Sequence, residues 1–159
     1  IAGRMSEKSD VKIICKNRKA FFNFEIEETF EAGIALLGSE VKSLRAGKAN
    51  LSDSYGKFRG GELFLVDVNI SPYDFSNREN HDPLRDRKLL LHKRELRKYY
   101  GKVAERGYSL VPLKLYFKRG KVKVELALAR GKKTYDKREA IKKKDLRREM
   151  ERLNKYRLR

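Results

Sequence analysis

The chain has 159 residues, and 40 Lys and Arg against 22 Asp and Glu leave a net charge of +18. Its length suits one domain of about 100–200 residues and excludes a large two-domain enzyme; no apolar run nears the roughly 20 residues of a spanning helix, and no apolar segment near the start suggests secretion, so a cytoplasmic protein is expected. A charge of about 2–8 already keeps a small domain soluble, so the excess points to a polyanionic partner, nucleic acid ahead of an anionic membrane surface.

In chain order, Ile1-Ala2-Gly3-Arg4 precede Met5 and read as a fusion remnant, and residues 1–10 together form a polar lead-in. Phe22 to Glu27 alternates apolar and polar residues as a half-buried strand does, and Gly33 to Leu37 is a second, apolar run of strand length. A helix follows, with Ser39 as its N-cap, Val41 and Leu44 on its apolar side and Gly47 as its stop. Tyr55–Arg59 and Glu62–Ile70 form a hairpin across Gly60-Gly61, its second arm apolar enough to be central. Pro72 and Pro83 bracket a polar loop. Leu89 to Glu105 has helical spacing and ends at Gly107. Leu110–Phe117 and Val122–Ala129 make a second hairpin through Lys118-Arg119-Gly120. About six strands and two short helices, without β-α-β alternation, predict a mainly β protein with flanking helices, a small barrel over residues 11–129.

Composition shifts at Arg130. Residues 130–159 hold 14 basic and 5 acidic side chains, a net +9, half the charge in under a fifth of the chain. Leu146, Met150 and Leu153 give this tail a narrow helical stripe. Its few apolar groups do not offset the entropy of ordering it alone, so it is expected to be disordered in isolation and to fold on an anionic surface.

No catalytic constellation stands out. One Cys (Cys15) and two His (His81, His92) make no internal disulfide and little of a zinc site, so no metal or other cofactor is expected. Gly131-Lys132-Lys133-Thr134 matches the end of a P-loop, but Leu126 stands where its first glycine belongs. His81-Asp82 reads as turn chemistry. The carboxylates Glu25, Glu27, Glu28 and Glu31 read as a solvated strand face, with an Mg²⁺-dependent nuclease as the sharper alternative. Basic groups cluster at Arg18-Lys19, at Lys42/Arg45/Lys48, at Arg85/Arg87/Lys88 and in the tail. Phe21, Phe22, Tyr55, Phe58, Tyr73 and Phe75 lie among them and offer stacking surfaces as well as core, a pattern that suits RNA.

Long stretches carry a family resemblance: Asn17-Arg18-Lys19-Ala20, Phe30 to Leu36, Gly38 to Lys48, Arg87 to His92 and Ala129 to Arg138. In these the chain resembles the small protein B family, SsrA-binding proteins that partner transfer-messenger RNA in bacterial ribosome rescue (trans-translation). The resemblance implies an oligonucleotide-binding-type β-barrel without enzymatic activity. It implies binding to the tRNA-like domain of transfer-messenger RNA, support for its alanylation by alanyl-tRNA synthetase, and delivery with elongation factor Tu, both reached through the RNA by a monomeric protein. By motif, Asn17, Glu31 and Leu90 would lie at the RNA face with Arg18 and Lys19, Lys42, Arg45, Lys48, Arg87 and Lys88 would meet phosphates, and Arg130, Lys132 and Lys133 would also bind RNA. Tyr135-Asp136-Lys137-Arg138 would touch ribosomal RNA in the decoding centre, the tail lying in the empty mRNA path. Many relatives carry His where Tyr135 stands, so stacking is carried over but an imidazolium contact is not. A ribosomal or assembly protein would share charge and barrel, without needing the match at Glu31 and Gly38–Lys48.

Overall fold

The computed structural model describes residues 11–73, 80–132 and 134–157 and, within the last segment, the side chains of 142–153. The lead-in 1–10, Phe75 and Lys133 lie outside the described residues. In chain order the elements are β1 (Val11–Lys16), α1 (Arg18–Asn23), β2 (Phe24–Ile34), α2 (Gly38–Arg45), β3 (Ala49–Asn50), β4 (Tyr55–Arg59), β5 (Glu62–Val66), β6 (Asn69–Ile70), β7 (Arg87–Leu90), α3 (Lys93–Arg106), β8 (Ser109–Lys118), β9 (Lys121–Gly131) and α4 (Thr134–Arg157).

The sheet runs β8-β4-β5-β7-β2-β9, and β9 pairs again with β8, which closes the ring. The barrel has no open edge within that ring, the surest defence against stray strand pairing. All its pairings are antiparallel, and β1 adds a strand on β8 beside β4. The β8–β9 hairpin turns through Arg119 and Gly120, both at positive φ (52° and 75°), the geometry whose twist suits a two-residue turn. Leu63, Leu65, Val68, Leu115, Val124 and Leu126 fill the interior.

A β-bulge at Glu27 explains why the sequence reads as two strands where there is one. The register with β9 steps from Ile26 to Glu28, and the side-chain phase flips there. Before it, Phe24 and Ile26 face outward onto a small cluster with Ala20, Val111, Leu113, Ala127 and Ala129; after it, Ala32 and Ile34 face the barrel core. That outer cluster seats α1, which takes Phe22 and Asn23 from the expected strand. The alanines of β9 leave room for it.

Other expectations shift for similar reasons. Helix α2 starts earlier: Leu37 is the N-cap, its N–H donates to the Glu40 carboxylate at 2.8 Å, and Ser39 sits inside the helix. The first hairpin's second arm ends at Val66, because Asp67 takes a positive φ of 61° and Asn69–Ile70 pairs separately with β3. Leu89 and Leu90 belong to β7 and not to the following helix, whose N-cap is His92 and whose end is Gly107 at φ 68°. Strand β9 runs on to Gly131, and the Lys132 N–H donates to Asn23 O at 2.9 Å, tying the root of the tail to α1.

Candidate nucleic-acid interface

The basic segment 85–88 divides its work. Arg87 and Glu40 are both fully buried, and Glu40 also takes Arg85 at 2.6 Å. Arg87 spends its remaining donors on the carbonyls of Val68 (2.6 Å) and Pro83 (3.2 Å). Burial works to raise the Glu40 pKa, but Arg85, the Leu37 N–H and Arg87 outweigh it and hold the carboxyl below its ordinary value. The expected phosphate role of Arg87 is therefore corrected: its guanidinium clamps α2 and the 82–83 loop to the barrel and presents nothing to solvent. Next door, Lys88 points outward, paired with Glu62 at 2.9 Å. His81 is buried too. Its Nε2 donates to Ile70 O at 2.7 Å, and its Nδ1 meets Ser39 Oγ at 2.9 Å, so it pins the loop to β6 and α2.

Asn17 needs the same correction. It is 3% exposed, its Nδ2 donates to Leu51 O (3.3 Å) and Pro112 O (2.9 Å), and its N–H donates to Leu113 O at 2.7 Å. It anchors the start of α1 and so sets where Arg18 and Lys19 stand, both exposed. Beside them Phe21 and Phe22 are exposed on α1, and Lys132 Nζ donates to Phe21 O at 3.1 Å.

The β2 carboxylates are neither a metal site nor a plain solvated row. From the bulge onward each finds a different partner. Glu27 accepts from Tyr108 Oη at 2.9 Å. Glu28 takes Lys102 (2.7 Å) and Lys98 (3.0 Å) from α3, which hold its carboxyl down at about 2. Glu31 accepts from the Tyr116 hydroxyl and pairs with Lys118 at 3.4 Å, yet remains 38% exposed. Burial works to raise the Glu31 pKa, but Tyr116, Lys118 and Lys123 outweigh it, so it stays an anion at neutral pH. Among the described residues no three His, Cys, Asp or Glu side chains gather at one point. The tyrosine partners, Tyr108 just before β8 and Tyr116 on it, are visible only once the strand order is known.

Leu90 sits opposite Gly33 on β2 and is half exposed; a Cβ on Gly33 would fall 3.2 Å from Leu90 Cβ, so glycine lets the leucine lean flat across the strand. On α2 the buried face is Glu40, Ser43 and Leu44, which leaves Lys42 and Arg45 outward in its last turn, with Lys48 just beyond. Cations there also suit the helix dipole. Lys42 Nζ lies 5.5 Å from the Tyr73 ring centre. Arg130 stacks its guanidinium over Tyr108 at 4.3 Å, which links it to Glu27. In α4 the side chains of Leu146, Met150 and Leu153 are each more than 60% exposed. Tyr135, Asp136, Lys137 and Arg138 lie on this helix's backbone, and their side chains are outside the described residues.

A closed antiparallel barrel with outward cations on α1, α2 and β7, exposed aromatic groups and a basic helical extension defines a nucleic-acid-binding module. The model of the SmpB protein family matches residues 14–156, and the chain belongs to that family. The SsrA-binding protein of Geobacter sulfurreducens is 65% identical over 139 residues, 87% of this chain and 91% of the relative. That of Syntrophobacter fumaroxidans is 58% identical over 152 residues, 96% of this chain and 94% of the relative. A solved structure described as "tmRNA-SmpB: a journey to the center of the bacterial ribosome" contains a chain 54% identical to this one, with a TM-score of 0.65, covering 80% of this chain and 93% of that one.

Proposed function

We propose that the chain binds transfer-messenger RNA and serves trans-translation, the rescue of stalled ribosomes. Its match along nearly the whole length to SsrA-binding proteins carries this reading. The family binds RNA and is not enzymatic. Residues 11–129 are the RNA-binding barrel, and the tRNA-like domain lies on the face where Glu31 and Leu90 stand exposed. Arg18, Lys19, Lys42, Arg45, Lys48 and Lys88 meet phosphates around it. Glu31 has a specific use there: an ionised carboxylate accepts hydrogen bonds from base or 2′-hydroxyl donors, which no lysine does. Residues 130–159 form the ribosome-directed tail, with Arg130, Lys132 and Lys133 on RNA, Tyr135 to Arg138 at the decoding centre, and the helix ordered along the mRNA path. The protein acts as a cytoplasmic monomer and reaches alanyl-tRNA synthetase and elongation factor Tu through the RNA.

Titration of transcribed transfer-messenger RNA against an elongator tRNA, over a range of salt, tests this. A clear preference for the former is expected, with a log–log salt slope of several units at about 0.7–0.9 per neutralised phosphate. Equal affinity for both RNAs overturns the reading.

A further inference from the structure

A groove of about 610 Å³ opens between the β4–β5 turn and the first turns of α3, lined by none of the residues assigned above. Its size falls within the roughly 300–1,000 Å³ of small-ligand sites. Its walls are the rings of Phe58 and Tyr100, packed edge to face with centres 5.3 Å apart, and the cations Arg59, Lys93 and Arg97. Among the described residues no acidic side chain lines it. The Gly60-Gly61 turn, at φ 59° and 78°, leaves one rim bare backbone.

What marks the groove out is which cations are committed elsewhere. Nearby, Arg59 pairs with Asp86 at 2.7 Å, Lys88 with Glu62, and Lys98 and Lys102 with Glu28. Lys93 and Arg97 have no ion pair or side-chain hydrogen bond among the described residues, and they stand one helical turn apart on the side that faces the groove. Tyr100 continues that row and is 56% exposed although it is aromatic. Two unpartnered cations beside an exposed ring offer a phosphate site and a stacking surface a few ångströms apart, the pair of contacts by which proteins hold unpaired nucleotides.

From this juxtaposition we infer that the groove between the β4–β5 turn and α3 is a second RNA-contact site. It takes one unpaired nucleotide, its base stacked on Tyr100 and its phosphate held by Lys93 and Arg97. The inference rests on the chain being an RNA-binding protein, but it uses none of the residues assigned to the tRNA-like domain.

The full chain, isotope-labelled, is titrated with an A₆ RNA hexanucleotide, with an abasic hexamer of the same length, and with a hexaglutamate peptide. The expected result is that A₆ shifts the amides of Gly60, Gly61, Leu96 and Tyr100, while the abasic hexamer and the peptide leave the Tyr100 ring signals unmoved. Tyr100→Leu, which keeps an apolar contact for Phe58, weakens A₆ at this site by about 5- to 150-fold, the worth of one base stack, while Tyr100→Phe retains it. Lys93→Glu with Arg97→Glu abolishes the shifts and leaves the circular dichroism of the barrel unchanged. Shifts confined to the neighbourhood of Glu31 or to the tail overturn the inference, as does equal perturbation by the abasic hexamer or the peptide. Affinity for transfer-messenger RNA, measured in parallel on the unmutated chain, keeps the two readings apart: if it is retained while the groove stays silent, only this inference falls.

Discussion

Replacing Arg87 with methionine keeps most of the side chain's volume and removes its guanidinium. In the folded protein the loss falls on Glu40 and on three carbonyls, that of Asp82 (3.4 Å) among them. Glu40, fully buried, keeps only Arg85 and the Leu37 N–H; the Val68 carbonyl loses a 2.6 Å donor; and the Pro83 carbonyl loses one at 3.2 Å. Breaking one side of a buried ion pair costs about 3–5 kcal/mol, because the remaining charge is left inside without its partner. Against a total stability of about 5–15 kcal/mol this is large. At roughly 2–4 °C per kcal/mol for a domain of this size, the melting temperature should fall by about 6–20 °C. The assay is thermal and urea denaturation of Arg87→Met beside a surface control, Lys88→Met, with the salt dependence of RNA binding measured well below both melting points. The clamp requires Arg87→Met to be strongly destabilised with an unchanged salt slope, and Lys88→Met to be nearly as stable as the parent with a slope shallower by about 0.7–0.9. The reverse pattern, a stability change under about 1 kcal/mol for Arg87→Met and a loss of slope, would refute the assignment of Arg87 to the interior.

Glu28 titrates at about 2 when folded against 4.5 for a free side chain, so its stabilisation is full above that free value and is lost as the pH falls towards 2; Glu28→Gln should lower the urea midpoint at neutral pH and converge with the parent near pH 2. Glu31→Ala should weaken transfer-messenger RNA more than an unrelated RNA although it removes a negative charge, read as the ratio of the two dissociation constants; an unchanged ratio sinks the acceptor role. Truncation after Lys132, which spares the last pairing of β9, should leave the barrel's melting temperature within a few degrees and transfer-messenger RNA bound. It should abolish tagging on stalled ribosomes, whereas full tagging would make the tail a mere charged appendage. The tail released as a peptide should show little helix by circular dichroism, since isolated helices are marginal in water.

The sequence alone was enough for whatever depends on local pattern or on bulk charge. Alternation in Val122–Leu126 marks a half-buried strand whatever it pairs with, and Gly60, Gly61 and Gly120 permit the positive φ values that tight turns demand. The +18 charge and the long family stretches were equally legible. Only the tertiary structure decided which side of a strand, and which end of a salt bridge, each residue would meet. The bulge at Glu27 reverses the phase of β2, so one strand read as two and Phe22 was taken from the helix it belongs to. Arg87 and Lys88 are neighbours of like charge in the sequence, yet strand pleating sends one to a buried carboxylate 47 residues away and the other to solvent. Asn17 turns inward because two carbonyls, of Leu51 and Pro112, wait there. Whether a polar group faces solvent or the interior depends on partners distant in the chain, and ring closure of the barrel sets those distances.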